Sequence, residues 1–240
     1  MINLFHHCVS FILALVVFWS VNHLTGYNST ISSIVVVLAA AFVCAFLSGQ
    51  LTLAIAGLYA CAGCSASLEL GISFVVIFVI MYCVYIRFFP KASWIILFMP
   101  FFYIIKFQYF MPILAGMTAG FTGMVPAAFG CIFYFFLKHT ADYVALSSSS
   151  AEGDLIEGYK YILQHLVQDK TLLLTIIVFA VVIVLTYIIY RMSFAYSWYV
   201  AIITGGVVEI ILFLVGTLSM EVEVSLRGLC LDAYWRYWWP

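Results

Sequence analysis

Long apolar runs separated by short polar breaks make up most of the chain. A spanning helix needs about 20 mostly apolar residues, because about 1.5 Å of rise per residue must cover a hydrocarbon core of about 30 Å. That rule predicts eight helices, at residues 8–23, 32–48, 51–67, 70–86, 93–109, 112–137, 171–190 and 194–218. The breaks between them form turns: Gly26-Tyr27-Asn28-Ser29-Thr30, Ser48-Gly49-Gln50, Arg87 to Lys91 with Pro90, and Arg191-Met192-Ser193. The expected fold class is all-α, a polytopic transmembrane helix bundle with about eight spans joined by tight hairpins, forming a single integral membrane domain over residues 1–240.

Residues 139–170 break the pattern. The segment passes through Ser147-Ser148-Ser149-Ser150, and then Leu155, Ile156, Tyr159, Ile162, Leu163, Leu166 and Val167 recur at helical spacing on one stripe. Ser149 followed by Glu152 resembles a capping box, and Asp154 and Glu157 suit a helix N-terminus. A cytoplasmic amphipathic helix over 149–170 is expected. Its acidic polar face would not be drawn to anionic headgroups, so the stripe is expected to dock on the bundle's own ends. The alternative is a soluble partner, with Leu155, Tyr159, Leu163 and Leu166 as the contact residues.

Composition agrees with the pattern. Of 240 residues 67% are hydrophobic and 8% charged, and the mean hydropathy is +1.20. A water-facing surface cannot be dressed from so few polar side chains, so lipid is the expected partner of the outside. The net charge of −1 with nine basic residues leaves no patch for phosphates and excludes nucleic acid as an expected partner. With the N-terminus in the cytoplasm, Arg87, Lys91, Lys138, Lys160 and Lys170 fall inside and Lys106 and Arg191 outside, which sets the expected orientation. Short, charge-poor connections suit a bacterial inner membrane. The first run follows no Lys or Arg, so it reads as a retained helix rather than a cleaved signal. Asn28-Ser29-Thr30 has the form of a glycosylation sequon.

Candidate chemistry is sparse. Glu209 is the one acid well inside an expected span, where an ionised carboxylate costs at least a few kcal/mol unless it is protonated, paired or facing a wet cavity. Lys106 is its expected partner. Gly116 and Gly120 form a GxxxG pair, and Pro126 is expected to kink the same helix, so the freed backbone groups could line a substrate or ion pathway. In glycine spacing this one helix is similar to the glycine-rich helices of importer membrane subunits and of cell-wall assembly proteins.

The seven cysteines, at 8, 44, 61, 64, 83, 131 and 230, are odd in number and mostly apolar in setting, so no disulfide framework is expected. Cys61-Ala62-Gly63-Cys64 lacks two further ligands, and neither a metal nor another cofactor is expected. No HExxH, GxSxG or GKS/GKT motif occurs, which weighs against an enzyme. Residues 225–240 are atypical, with three Trp among the last six residues. Read from the third base of the Tyr234 codon they encode an apolar run, so a shifted frame and an interfacial aromatic anchor both fit. The expected function is a transporter or transporter-like subunit for a small solute, the alternative a membrane scaffold recruiting a cytoplasmic partner through residues 149–170.

Overall fold

A computed structural model describes residues 2–25, 33–47, 49–64, 75–76, 78–80, 82–83, 92–147, 164–193 and 196–220. These contain helices and turns, with no strand among the described residues. The helices are α1 (Ile2–Thr25), α2 (Ile34–Cys44), α3 (Gly49–Cys64), α4 (Ser93–Ile104), α5 (Phe110–Thr118), α6 (Met124–Ser147), α7 (Lys170–Tyr190) and α8 (Ser197–Met220), with a 3₁₀ turn over Gly120–Gly123. Three stretches are long and apolar enough to cross a membrane: Gly120–Asp142, Lys170–Tyr190 and Ser197–Ser219. Four further apolar helical stretches are shorter, namely Ser10–Leu24, Ile34–Cys44, Leu51–Gly63 and Trp94–Ile104. The span expected at 70–86 and the tail at 225–240 lie wholly or largely outside the described residues.

The largest departure from the sequence reading lies between 93 and 137. Two uninterrupted spans are expected there, but the chain turns back twice. Met99 and Ile96 of α4 face Gly130 of α6, while Tyr103 stacks on Tyr134 at 3.9 Å, so residue numbers rise together and the two helices run parallel. Between them α5 runs the other way. Gly116 lies against Ile183 and Thr186, and Gly120 against Tyr187, so α5 is parallel to α7. The His139–Asp169 contact joins the far end of α6 to the start of α7, which makes those two antiparallel. The pair α4–α5 is therefore a helical hairpin: both arms open toward the end of the bundle where α7 finishes, and the turn between them, with Ile105, Lys106 and Phe107 exposed, lies part-way along it. The 12 residues of α4 rise only about 18 Å, well short of a hydrocarbon core of about 30 Å.

Both turns have local causes. At the end of α4, Lys106 N–H donates to Tyr103 O at 3.1 Å and Phe107 N–H donates to Phe102 O at 2.8 Å. This is the Schellman pattern, with Lys106 at φ 62 in the position glycine usually holds, and with Phe107 stacked on Phe102 as the accompanying apolar contact. At the other end Gly120 takes φ 63, and a Cβ on Gly123 would lie 3.2 Å from Ala115 O, so the chain folds back on itself. Pro126 falls in the first turn of α6, where no helical N–H is required, and so it does not kink a span as expected. The start of α4 and Lys138 stand at opposite ends of the bundle.

Packing joins two apolar clusters. One gathers Phe18 of α1, Ala41 of α2, Leu53 of α3 and Phe136 of α6; the other gathers Ile95 of α4, Met111 of α5, Cys131 of α6, Val182 of α7 and Phe213 of α8. The α4–α6 seam separates and serves both. Large apolar side chains such as Ile34, Leu58, Ile203 and Leu218 point outward. Where the outside is lipid, burial of apolar area gives helices little reason to associate, so close van der Waals contact at small residues carries the packing. A Cβ on Gly130 would lie 2.8 Å from Met99 Cβ, whereas one on Gly206 meets nothing within 4 Å. Gly130→Leu is accordingly expected to cost about 1–3 kcal/mol and to lower the melting temperature in detergent, while Gly206→Ala leaves it unchanged or raises it. Differential scanning fluorimetry of the two variants checks this, and equal behaviour would contradict the α4–α6 seam.

Candidate functional site

The site is built where α5, α7 and α8 meet. On α8, Gly205 lets the three helices close: a Cβ there would lie 2.8 Å from Thr186 Oγ1 on α7 and 3.3 Å from Ile113 on α5. Gly116 does the same from α5, where an added Cβ would lie 2.9 Å from Ile183 O and 3.0 Å from Thr186 Cβ. Side chains on a helix lean toward its N-terminus, and Glu209 stands one turn after Gly205, so its carboxyl leans toward this junction. At 1.5 Å per residue Glu209 is about 18 Å from Ser197 and about 16 Å from Met220, close to the midpoint of α8.

Glu209 is only 1% exposed and Thr186 is fully buried. Among the described residues three buried side-chain atoms have no hydrogen-bond partner: Glu209 Oε1, Thr186 Oγ1 and Gln108 Oε1. All three are oxygens able to accept. They come from three elements, with Gln108 on the connection from α4 to α5. Tyr109, the next residue, has its hydroxyl beside the Gln108 side chain and within electrostatic reach of Glu209. A buried polar group left without a partner costs about 1–3 kcal/mol, so each of the three is a cost that packing alone would not select. Toward the α8 C-terminus the junction is closed by an edge-to-face cluster, with Tyr109 5.1 Å from Phe213 and Phe213 6.4 Å from Phe179. In the opposite direction lie the Gly120 turn and Tyr187, whose hydroxyl accepts from Arg191 at 2.8 Å.

The other expected residues separate clearly. Gly116 and Gly120 both face α7, at the edge of the junction. Lys106 occupies the tip of the hairpin and is exposed, and no ion pair joins it to Glu209 among the described residues. Leu155, Tyr159 and Leu163 lie outside the described residues. Leu166 is buried in the same cluster as Leu137 and Leu172, as expected if the segment docks on its own bundle. The expected helix does not continue to 170. Asp169 has extended backbone and caps α7, accepting from Thr171 N at 2.8 Å and Leu172 N at 3.3 Å while holding His139 Nε2 at 3.0 Å. Sequence reasoning missed Gln108, Tyr109, Thr186 and Gly205. The Gly205-Gly206 pair one turn before Glu209 was the available signal, since a close approach beside an intramembrane acid marks where a second helix arrives.

An apolar groove of about 570 Å³ between Met124 and the Ala180–Ile189 face of α7 contributes almost no polar lining and lies apart from this junction. Among the described residues no group of three His, Cys, Asp or Glu is placed to hold a metal. The chain matches no protein-family model, no curated protein and no solved structure.

If the Thr186 hydroxyl has no protein partner, exchanging it for a methyl removes only an unsatisfied group. Thr186→Val is therefore expected to keep the melting temperature or to raise it, by up to about 1 kcal/mol in stability. A clear loss in thermal unfolding would mean that the hydroxyl already bonds within the bundle.

Proposed function

We propose that this chain is a polytopic membrane protein that moves a small solute or ion, with Glu209 on its pathway. The observation that carries the reading is an acid 1% exposed at the middle of α8, with an oxygen that has no partner among the described residues. A helix needing only to pack would do better with Leu there, because the carboxyl costs several kcal/mol in an apolar interior when charged and unpaired. Retaining it makes sense where the group meets a proton, a cation or water in its working cycle. The adjoining hairpin supports the same reading: half-length helices and irregular backbone at membrane depth are tolerated where they are enclosed by protein or line a cavity.

The reading extends the three long helices toward the eight crossings or part-crossings expected from hydropathy, in a cell membrane and, from its short connections, a bacterial inner membrane. The end carrying Lys138, Lys170 and the intervening loop is taken as cytoplasmic. The scaffold alternative is the weaker of the two, because Leu166 already packs against the bundle.

A pathway must let water reach the junction. Ile113 is 6% exposed and touches Gly205, so Ile113→Cys reports on that depth. In sealed vesicles it is expected to react with a membrane-impermeant methanethiosulfonate added from at least one side, above the level of the parent chain. Glu209→Gln is expected to express and run monodisperse but to lose the transport-dependent phenotype. An Ile113→Cys thiol silent from both sides, together with a fully active Glu209→Gln, rejects the pathway.

A further inference from the structure

We infer that the groove between Met124 and α7 holds one acyl chain of an anionic phospholipid, with the lipid's phosphate on Arg191. This rests on the membrane part of the proposed function and not on the solute pathway. The groove follows a single stripe of α7, where Ala180, Val184 and Ile188 recur every fourth residue, and Met124 of α6 forms its wall. From Ala180 to Ile189 it runs about 14 Å at about 1.5 Å per residue. Half of a hydrocarbon core of about 30 Å is about 15 Å. Ala180 is the middle residue of α7, so the groove covers the depth of one leaflet, from the midplane to the end of the helix. Exposed aromatic side chains mark that end as the headgroup level: Tyr190, Tyr196, Trp198 and Tyr199 gather there, as in an interfacial belt.

Charge says what covers the groove. Arg191 lies three residues beyond Ile188 and seven beyond Val184, on the same side of the helix axis, and it is exposed. Its Nη1 donates to the Tyr187 hydroxyl at 2.8 Å, and the guanidinium stands 6.0 Å from the centre of the same ring. The fork is thereby held at the groove's outer end, and the hydroxyl that accepts from it still has its own proton to donate. No carboxylate pairs with Arg191 among the described residues, whose acids are Asp142 and Asp169 at the opposite end of the bundle and Glu209 at mid-helix. A phosphate supplies the missing charge in the geometry a guanidinium prefers. A headgroup with its own ammonium would bring a second cation to a place with no described acid to receive it, so an anionic lipid fits better than a zwitterionic one. A second copy of the chain fits worse still. Related by a two-fold axis along the membrane normal, it would bring a second Arg191 to the same depth.

The test uses the purified full chain in detergent, titrated with phosphatidylglycerol, phosphatidylethanolamine or diacylglycerol of one acyl composition, or with inorganic phosphate, while tryptophan fluorescence follows thermal unfolding. Phosphatidylglycerol is expected to raise the melting temperature saturably and above the other three. Arg191→Gln is expected to weaken its apparent affinity roughly fivefold or more, whereas Lys138→Gln, which removes a cation at the opposite end, keeps it. Val184→Trp, which fills the groove, is expected to abolish the saturable rise while melting like the parent without lipid. Should Arg191→Gln fail to fold, Val184→Trp decides. Equal stabilisation by phosphatidylethanolamine or diacylglycerol, equal losses in Arg191→Gln and Lys138→Gln, or an undiminished response in Val184→Trp would each overturn the inference. So would a Val184→Trp chain that falls from dimer to monomer in size-exclusion chromatography, which puts a second copy in the groove, or one that melts well below the parent without lipid, which puts another segment of this chain there. A parent chain that stays monodisperse without detergent rejects the membrane reading itself, so the two failures are told apart.

Discussion

Hydrogen bonding without water is the constraint on which this bundle depends. Where the outside of a protein is apolar side chain meeting lipid, every backbone amide and carbonyl at that depth needs a partner inside the molecule. Helices meet the demand by themselves, which is why the described residues form little else. The demand becomes acute where helices stop. Asp169 meets it at the start of α7 with its own carboxylate, and Phe107 and Lys106 meet it at the end of α4 by returning their amides to Phe102 and Tyr103. A residue with a side chain takes a left-handed backbone at Lys106 because the Schellman pattern there satisfies the last carbonyls of α4.

Against that background the junction at Glu209 stands out. Elsewhere threonines return their hydroxyls to the preceding turn, as Thr140 does to Phe136 O and Thr175 to Thr171 O. Thr186 has the same opportunity on α7 and does not take it. Its hydroxyl instead lies against Gly205 of α8, one turn before Glu209, where an added Cβ would come within 2.8 Å. Unspent hydrogen-bonding capacity at Thr186 and at Glu209, one turn apart along the α7–α8 contact, separates this stretch from ordinary packing.

The long apolar helices were legible from hydropathy alone, because α7 and α8 are each close to the length a bilayer asks for. Glu209 was legible for a related reason, being an acid where an acid is costly. The hairpin was not legible. A sliding apolar window sees residues 93–137 as material for two spans, since a turn capped by backbone hydrogen bonds between phenylalanines leaves almost no polar mark. Lys106 reads in sequence as a charge at a membrane face, and only the backbone angle identifies it as a helix terminator. The GxxxG pair was read as a contact surface, and it is one. That Gly120 also ends the helix depends on a positive φ that spacing does not encode. Thr186 and Gln108 were invisible for a simpler reason: a single neutral polar residue in an apolar run has many structural explanations, and only its neighbours remove them.

The nine residues of α5 form too few internal hydrogen bonds for a helix to stand alone. Its order is borrowed from α7 and α8, which lie some fifty residues or more further along the chain. During synthesis the hairpin therefore emerges well before the surfaces that complete it. On the membrane reading proposed here, neither arm is long enough to cross a bilayer by itself, so α4 and α5 complete their packing only once the chain of α7 and α8 has been made.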